Sequence, residues 1–77
     1  MEENLGKNIR KARKQKRLNQ SQAAKLMNLD PSTWSLYESG NRQPPVTTLR
    51  IICEKLEVSA DYLLGLSEEM KLKSGGK

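Results

Sequence analysis

The sequence predicts an all-α domain of five short helices. Three observations carry that expectation. Apolar residues recur at three- and four-residue spacing along most of the chain, the period of one helix face. Each apolar segment is bounded by residues that start or stop helices. Nowhere does apolar–polar alternation run long enough for a strand, and no segment repeats another. With 77 residues there is room for one compact domain. A domain of this size buries only ~60% of the surface its unfolded chain exposes. Only 35% of the residues are apolar and none is Phe, so the core must rest mainly on Leu, Ile, Ala and Met.

The first helix is expected from Asn4 to Arg17, with Leu5, Ile9 and Ala12 on one face. Leu18 and Asn19 break it. Asn19 then caps a second helix, and Gln22 three residues on completes a capping box. In that helix Ala23, Leu26 and Met27 form the apolar set, and Asn28 tolerates the left-handed conformation that ends it. Asp30 followed by Pro31 reads as a cap and a proline in the first helical position. A third helix runs from Pro31 to about Ser39, buries Trp34 and Tyr37, and stops at Gly40. The segment Asn41, Arg42, Gln43, Pro44, Pro45 is a loop. A fourth helix, about Val46 to Leu56, gathers Leu49, Ile52, Cys53 and Leu56, and Pro45 leaves its first residue open. Ser59 caps a short fifth helix with Tyr62, Leu63 and Leu64, closed by Gly65. Residues 1–66 form the domain, and 67–77 are a polar tail expected to fray.

The net charge is +5, and its distribution is uneven. Residues 1–30 hold eight basic and three acidic side chains, whereas residues 31–77 hold six of each. The surplus lies chiefly in Lys7, Arg10, Lys11, Arg13, Lys14, Lys16 and Arg17. On charge alone two readings stand, a stripe that attracts polyanions and a plainly solvated helix face. Catalysis finds little support. The chain has no His, the commonest general base and metal ligand, and one Cys cannot build a zinc site of the usual spacing. Its only Gly pair, Gly75 and Gly76, lies in the tail and forms no phosphate-binding loop. No cofactor, metal or small-molecule ligand is expected. Cys53 can form no intramolecular disulfide and reads as a buried thiol, which fits a cytoplasmic protein. The polar N-terminus lacks the apolar stretch of a secretion signal, and no run is long enough to span a membrane.

The second and third helices carry the functional reading. Two short helices joined by about four residues, the second opened by Asp30-Pro31, fit a helix-turn-helix. The turn needs a residue at ease in the left-handed region, supplied by Asn28, and the close crossing needs a small one, supplied by Ala24. Ala23, Met27, Leu29, Trp34 and Tyr37 supply the apolar positions. The stretch from Ile9 to Gly65 resembles the Cro and phage-repressor family of regulators, also called XRE-like. The likeness rests on Leu18-Asn19-Gln20, Ala24, Tyr37-Glu38-Ser39-Gly40, Arg42 and Pro44. It continues in Leu56-Glu57-Val58-Ser59 and Asp61-Tyr62-Leu63-Leu64.

The resemblance implies a lambda-repressor-like fold whose third helix enters the DNA major groove. Base edges would then be met by Pro31, Ser32, Thr33, Ser35 and Leu36, and phosphates by Gln20, Asn41 and Arg42. It further implies a dimer contact at Ala60 and Tyr62. Arg13 and Glu38 sit at the edges of buried faces, where an unpaired charge is costly. Spacing and resemblance together therefore place them in an ion pair that orients the third helix. Between Pro31 and Tyr37 the chain has no Arg, Lys, Gln or Asn, the side chains that grip guanine or adenine with two hydrogen bonds. Reading is therefore expected to lean on thymine-methyl contacts, water and DNA shape, unless Leu36 simply packs or meets a protein. At helical spacing, Trp34 and Tyr37 belong to the core and not to a base-stacking surface.

The sequence thus points to a double-stranded-DNA-binding transcriptional regulator, a repressor that binds a palindromic operator as a homodimer. Phage or mobile-element control, restriction-modification control and antitoxin autorepression all fit. The rival reading is a protein-interaction module that kept the fold and binds DNA only weakly and without sequence preference.

Overall fold

Helices α1 (Leu5–Gln15), α2 (Gln20–Leu26), α3 (Pro31–Ser39), α4 (Val46–Leu56) and α5 (Ala60–Leu63) follow one another in a computed structural model that describes residues 4–70. α1 buries Leu5, Ile9 and Ala12 as the spacing requires, together with Gly6 and Arg13. It ends earlier than expected, because Arg17 adopts a left-handed φ of 61°. The Arg17 N–H then donates to Lys14 O at 2.9 Å and the Leu18 N–H to Arg13 O at 3.3 Å, the paired bonds of a Schellman ending. Gly6 permits the crossing beneath. A Cβ there would lie 2.6 Å from the carbonyl oxygens of both Tyr37 and Glu38, so α1 rests directly on the backbone at the end of α3.

α2 opens with the expected capping box. Asn19 Oδ1 accepts from the Gln22 N–H at 2.7 Å, and the Asn19 N–H donates to Gln22 Oε1 at 2.8 Å. It closes at Met27, with Asn28 left-handed at φ 63° and the Leu29 N–H donating to Ala24 O at 2.8 Å. Leu26 departs from the expected apolar set. It is 43% exposed, and Ala24 takes a place in the buried row beside Ala23 and Met27. Ala24, fully buried, offers only a methyl there, which allows close helix approach.

α3 begins at Pro31, whose ring already holds the φ a helix needs. Asp30 precedes it with extended backbone, and its carbonyl accepts from the Trp34 N–H at 3.1 Å. The Asp30 side chain makes no capping hydrogen bond, contrary to expectation. Gly40, at φ 86°, ends the helix. α4 starts at Val46 behind an extended Pro45, whose carbonyl accepts from the Leu49 N–H at 2.8 Å without any side-chain cap. It ends at Glu57, left-handed at φ 59°, a terminator the sequence did not announce.

α5 is capped by Ser59, whose Oγ accepts from the Tyr62 N–H at 3.0 Å. From α1, Asn8 Nδ2 donates to the carbonyls of Tyr62 and Leu63 at 3.1 and 3.2 Å, satisfying the end of this short helix. Of the polar segment beyond Leu66, residues 67–70 return to the body. The Ser59 N–H donates to Met70 O at 2.9 Å, and Met70 packs against the core. Residues 71–77 of the expected tail lie outside the described residues. Trp34, Ile9, Ile52, Leu56 and Leu63 are the largest fully buried side chains and form the centre. Among the described residues no helix is long and apolar enough to cross a membrane.

Candidate nucleic-acid interface

The two faces of α3 are chemically opposite. Trp34 and Tyr37 point into the core, with Glu38 on the same side. On the other side Pro31, Ser32, Ser35 and Leu36 are all exposed. Ser39 follows Ser32 by seven residues and Ser35 by four, so at about 100° per residue the three hydroxyls share one row. Leu36 stands beside that row, a large apolar side chain left 37% exposed. Thr33 is half-buried and, like Pro31, lines a groove between α2 and α3 with Ser21, Lys25, Asn28, Leu29 and Asp30.

Behind α3, one carboxylate joins three helices. Glu38 Oε2 accepts from Arg13 Nε and from Trp34 Nε1, each at 2.5 Å. Its Oε1 accepts from Gln20 Nε2 at 2.9 Å and Arg13 Nη2 at 3.2 Å. Arg13 Nη1 donates to Leu18 O at 2.7 Å, tying the cluster to the α1–α2 turn. The Arg13 and Glu38 side chains are only 9% and 4% exposed. A buried carboxylate is costly unless its lone pairs are satisfied, and four donors do so here. Burial pushes the Glu38 pKa up. The hydrogen bonds from Arg13, Gln20 and Trp34, with the charge of Arg13, outweigh it and hold the carboxyl below its ordinary value.

Gln20 is therefore placed differently from the simple expectation of a side chain offered to a phosphate. Its half-buried amide turns inward, giving one N–H to Glu38. Asn41 and Arg42 are exposed in the loop that follows α3. The loop is folded back on the helix, with the Arg42 N–H on Leu36 O at 3.2 Å and the Asn41 N–H on Ser39 Oγ at 3.3 Å. Ser39 Oγ in turn donates to Leu36 O at 3.0 Å, so it shapes the loop as well as extending the hydroxyl row. Ala60 is exposed and Tyr62 is half-buried against the core. Two residues apart, they point about 200° from one another around α5 and do not share one face.

On α1, Lys7, Arg10, Lys11 and Lys14 are exposed on the side away from the core, with Arg17 exposed beyond its end. Lys16 instead pairs with Glu57 at the end of α4. Cys53 is buried, and burial, aided by Glu54, pushes its thiol pKa up, which keeps it protonated and unreactive. Among the described residues no cluster of His, Cys, Asp or Glu could hold a metal ion.

A family model described as helix-turn-helix matches residues 9–63, from the middle of α1 to the end of α5. The chain belongs to the XRE-type helix-turn-helix family. The helix-turn-helix is its α2–turn–α3 unit, and the family is one of DNA-binding transcriptional regulators, not enzymes. The chain is 40% identical over 60 residues to the uncharacterised HTH-type transcriptional regulator YqaE of Bacillus subtilis, covering 78% of this chain and 52% of that protein. It is 37% identical over 67 residues to the HTH-type transcriptional regulator ImmR of the same organism, covering 87% and 53%. The chain thus spans about half the length of these curated relatives. Among solved structures, the restriction-modification controller protein C.AhdI from Aeromonas hydrophila superposes with a TM-score of 0.74 at 26% identity, covering 80% of this chain and 94% of that one. The clp gene regulator ClgR from C. glutamicum gives a TM-score of 0.74 at 27% identity, covering 84% and 86%.

Three features of this helix-turn-helix escaped the sequence. Gly6 interrupts a helical pattern, a signal of close backbone approach that only the crossing with α3 explains. Trp34 and Glu38 are four residues apart and meet as helical neighbours, a spacing that alone does not show the indole N–H donating to the carboxylate. Ser39 lies on the same spacing as Ser32 and Ser35, but its place at the helix end hides that it extends their row.

Proposed function

We propose that the chain is a sequence-specific double-stranded-DNA-binding regulator that lays α3 in the major groove. The observation that carries this reading is the exposed row of α3. Pro31, Ser32, Ser35, Leu36 and Ser39 stand on a helix locked from behind by Trp34, Tyr37 and the Glu38 cluster. A rigid helix is what a base-reading surface needs. Serine hydroxyls bond to any base edge, and Pro31 and Leu36 suit thymine methyls, so selectivity draws on methyl contacts and DNA shape. Thr33 stands alongside them at the edge of the α2–α3 groove. Gln20, Asn41 and Arg42 hold phosphates, Gln20 through its backbone and its second amide N–H. Two copies related by a two-fold axis, meeting near α5, would set α3 and its partner one DNA turn apart on a palindromic operator. Such binding over a promoter represses by blocking access.

Selection from a random duplex pool at near-physiological salt, followed by sequencing, tests this reading. An enriched inverted repeat with half-sites one helical turn apart is the expected outcome. The second reading, a protein-interaction module, draws on the exposed Leu36 and the absence of bidentate base-reading side chains from α3. It gains the case if nothing is enriched and binding disappears steeply with added salt.

A further inference from the structure

We propose that the outward face of α1 is a second DNA-binding surface, on which Lys7, Lys11 and Lys14 hold a duplex other than the one α3 reads. The proposal rests on the DNA-binding reading above and adds to it the joining of two DNA segments.

The first observation is how the cations of α1 are disposed. The helix carries Lys7, Arg10, Lys11, Arg13 and Lys14 and no acidic residue. Lys7, Lys11 and Lys14 follow the spacing i, i+4, i+7, so they share one row, and all three are exposed. None of the three makes a hydrogen bond or ion pair among the described residues. Arg13 and, just beyond the helix, Lys16 are by contrast engaged by Glu38 and Glu57. The row does not help the helix itself. Like charges four residues apart repel, and Lys7 in the first turn opposes the positive end of the helix dipole.

The second observation is direction. The row lies on the side of α1 opposite Leu5, Ile9 and Ala12, which are buried. α3 meets α1 along another strip, at Gly6 and Arg13, and α5 meets it at Asn8. The lysine row is turned about 120° from the α3 strip, on average. α3 in turn gives its Glu38 side to α1 and holds its serines on the other side. The two rows therefore face outward from different sides of the α1–α3 pair. A duplex seated on the serines leaves the lysines to another.

The chemistry of the row selects the occupant. Protein interfaces concentrate aromatic, Met and Arg side chains and are poor in Lys, whereas this row is all lysine and α1 has no aromatic residue or Met. The apolar face of α1 is buried in the core, so the helix cannot lie in a lipid surface as a basic amphipathic helix does. A duplex backbone, gripped without regard to sequence, asks only for ammonium groups free to displace its counterions.

A bridging measurement on the full chain tests the proposal. An enriched duplex is immobilised and saturated with protein, and capture of a labelled shuffled duplex is followed across a salt series. The variants are Lys7→Gln/Lys11→Gln and, as a control of equal charge change on α4, Arg50→Gln/Lys55→Gln. Wild type is expected to capture the second duplex at low salt, with a salt slope of about three phosphate contacts. The α1 variant should melt no lower than wild type and bind the immobilised duplex within about twofold of it, yet capture the second about tenfold more weakly. The control should capture it as wild type does. Capture that survives in the α1 variant, or falls equally in the control, overturns the proposal, since a second α3 or diffuse charge would then hold the duplex. An equal loss of binding to the immobilised duplex also overturns it, because the row would then belong to the first contact. Wild type that captures poly-glutamate and no second duplex overturns it in favour of an acidic protein, and capture of neither makes the row a solvated face. Wild type that does not bind the immobilised duplex overturns the DNA-binding reading itself, and this proposal with it.

Discussion

The buried and exposed sides of α3 use the same nine residues for different purposes. The inner side commits large or charged groups to fixed partners: Trp34 to the core, Glu38 to four donors from Arg13, Gln20 and Trp34 itself. The outer side offers three serines, a proline and a leucine, and Ser39 alone has a partner there, in its own turn. Stability is thus concentrated on one side, and the other is left open to contact. Substitutions on the inner side should destabilise the protein, and those on the outer side should leave it folded and change only what it binds.

The largest effect is expected from Glu38→Ala. It leaves Arg13 buried without its counter-charge and should cost about 3–5 kcal/mol in denaturant unfolding. Gly6→Ala comes next, at about 1–3 kcal/mol. The upper end is expected because the new Cβ would meet two backbone carbonyls, which cannot rotate away as a side chain can.

The pH dependence of unfolding examines the inner side without truncating it. The Glu38 carboxyl is held below its ordinary value of 4.5, so the folded state binds its proton less readily than the unfolded chain. Its stabilisation is complete above that value and is lost as pH falls through the lower, folded pKa. Unfolding free energy measured down an acid series should therefore fall less steeply in Glu38→Gln than in the wild type. Equal slopes would remove Glu38 from the cause. The smallest change in stability is expected on the outer side, where Ser35→Ala and Leu36→Ala should each stay within about 0.5 kcal/mol of the wild type.

Much of the inner architecture was legible in the sequence because its signals are local. Asn19 and Gln22 sit at capping-box spacing, Asn28 and Gly40 occupy left-handed ends, and Trp34 and Tyr37 share a helical face. Spacing, the cost of an unpaired charge and the family resemblance together point to the Arg13–Glu38 contact, and the two side chains meet. What could not be read depends on how helices approach one another. Gly6 has no meaning until α1 lies on the Tyr37 and Glu38 carbonyls, and the inward turn of Gln20 requires Glu38 to be across from it. Leu26 fits the core by spacing and is exposed, whereas Ala24 is fully buried. Asp30 carries the residue type of a cap without making the bond. Thr33 is half-buried where Ser32 and Ser35 are exposed, a difference that membership of a five-residue run does not carry.

The most direct test of this division is the ratio of affinities for an enriched and a shuffled duplex, at near-physiological salt, in wild type and in the double variant Ser35→Ala/Leu36→Ala. With the outer side of α3 reading bases, the variant should melt like the wild type while the ratio collapses toward one. A ratio that survives the double substitution, or a loss shared equally by both duplexes, would contradict the assignment of base reading to this face.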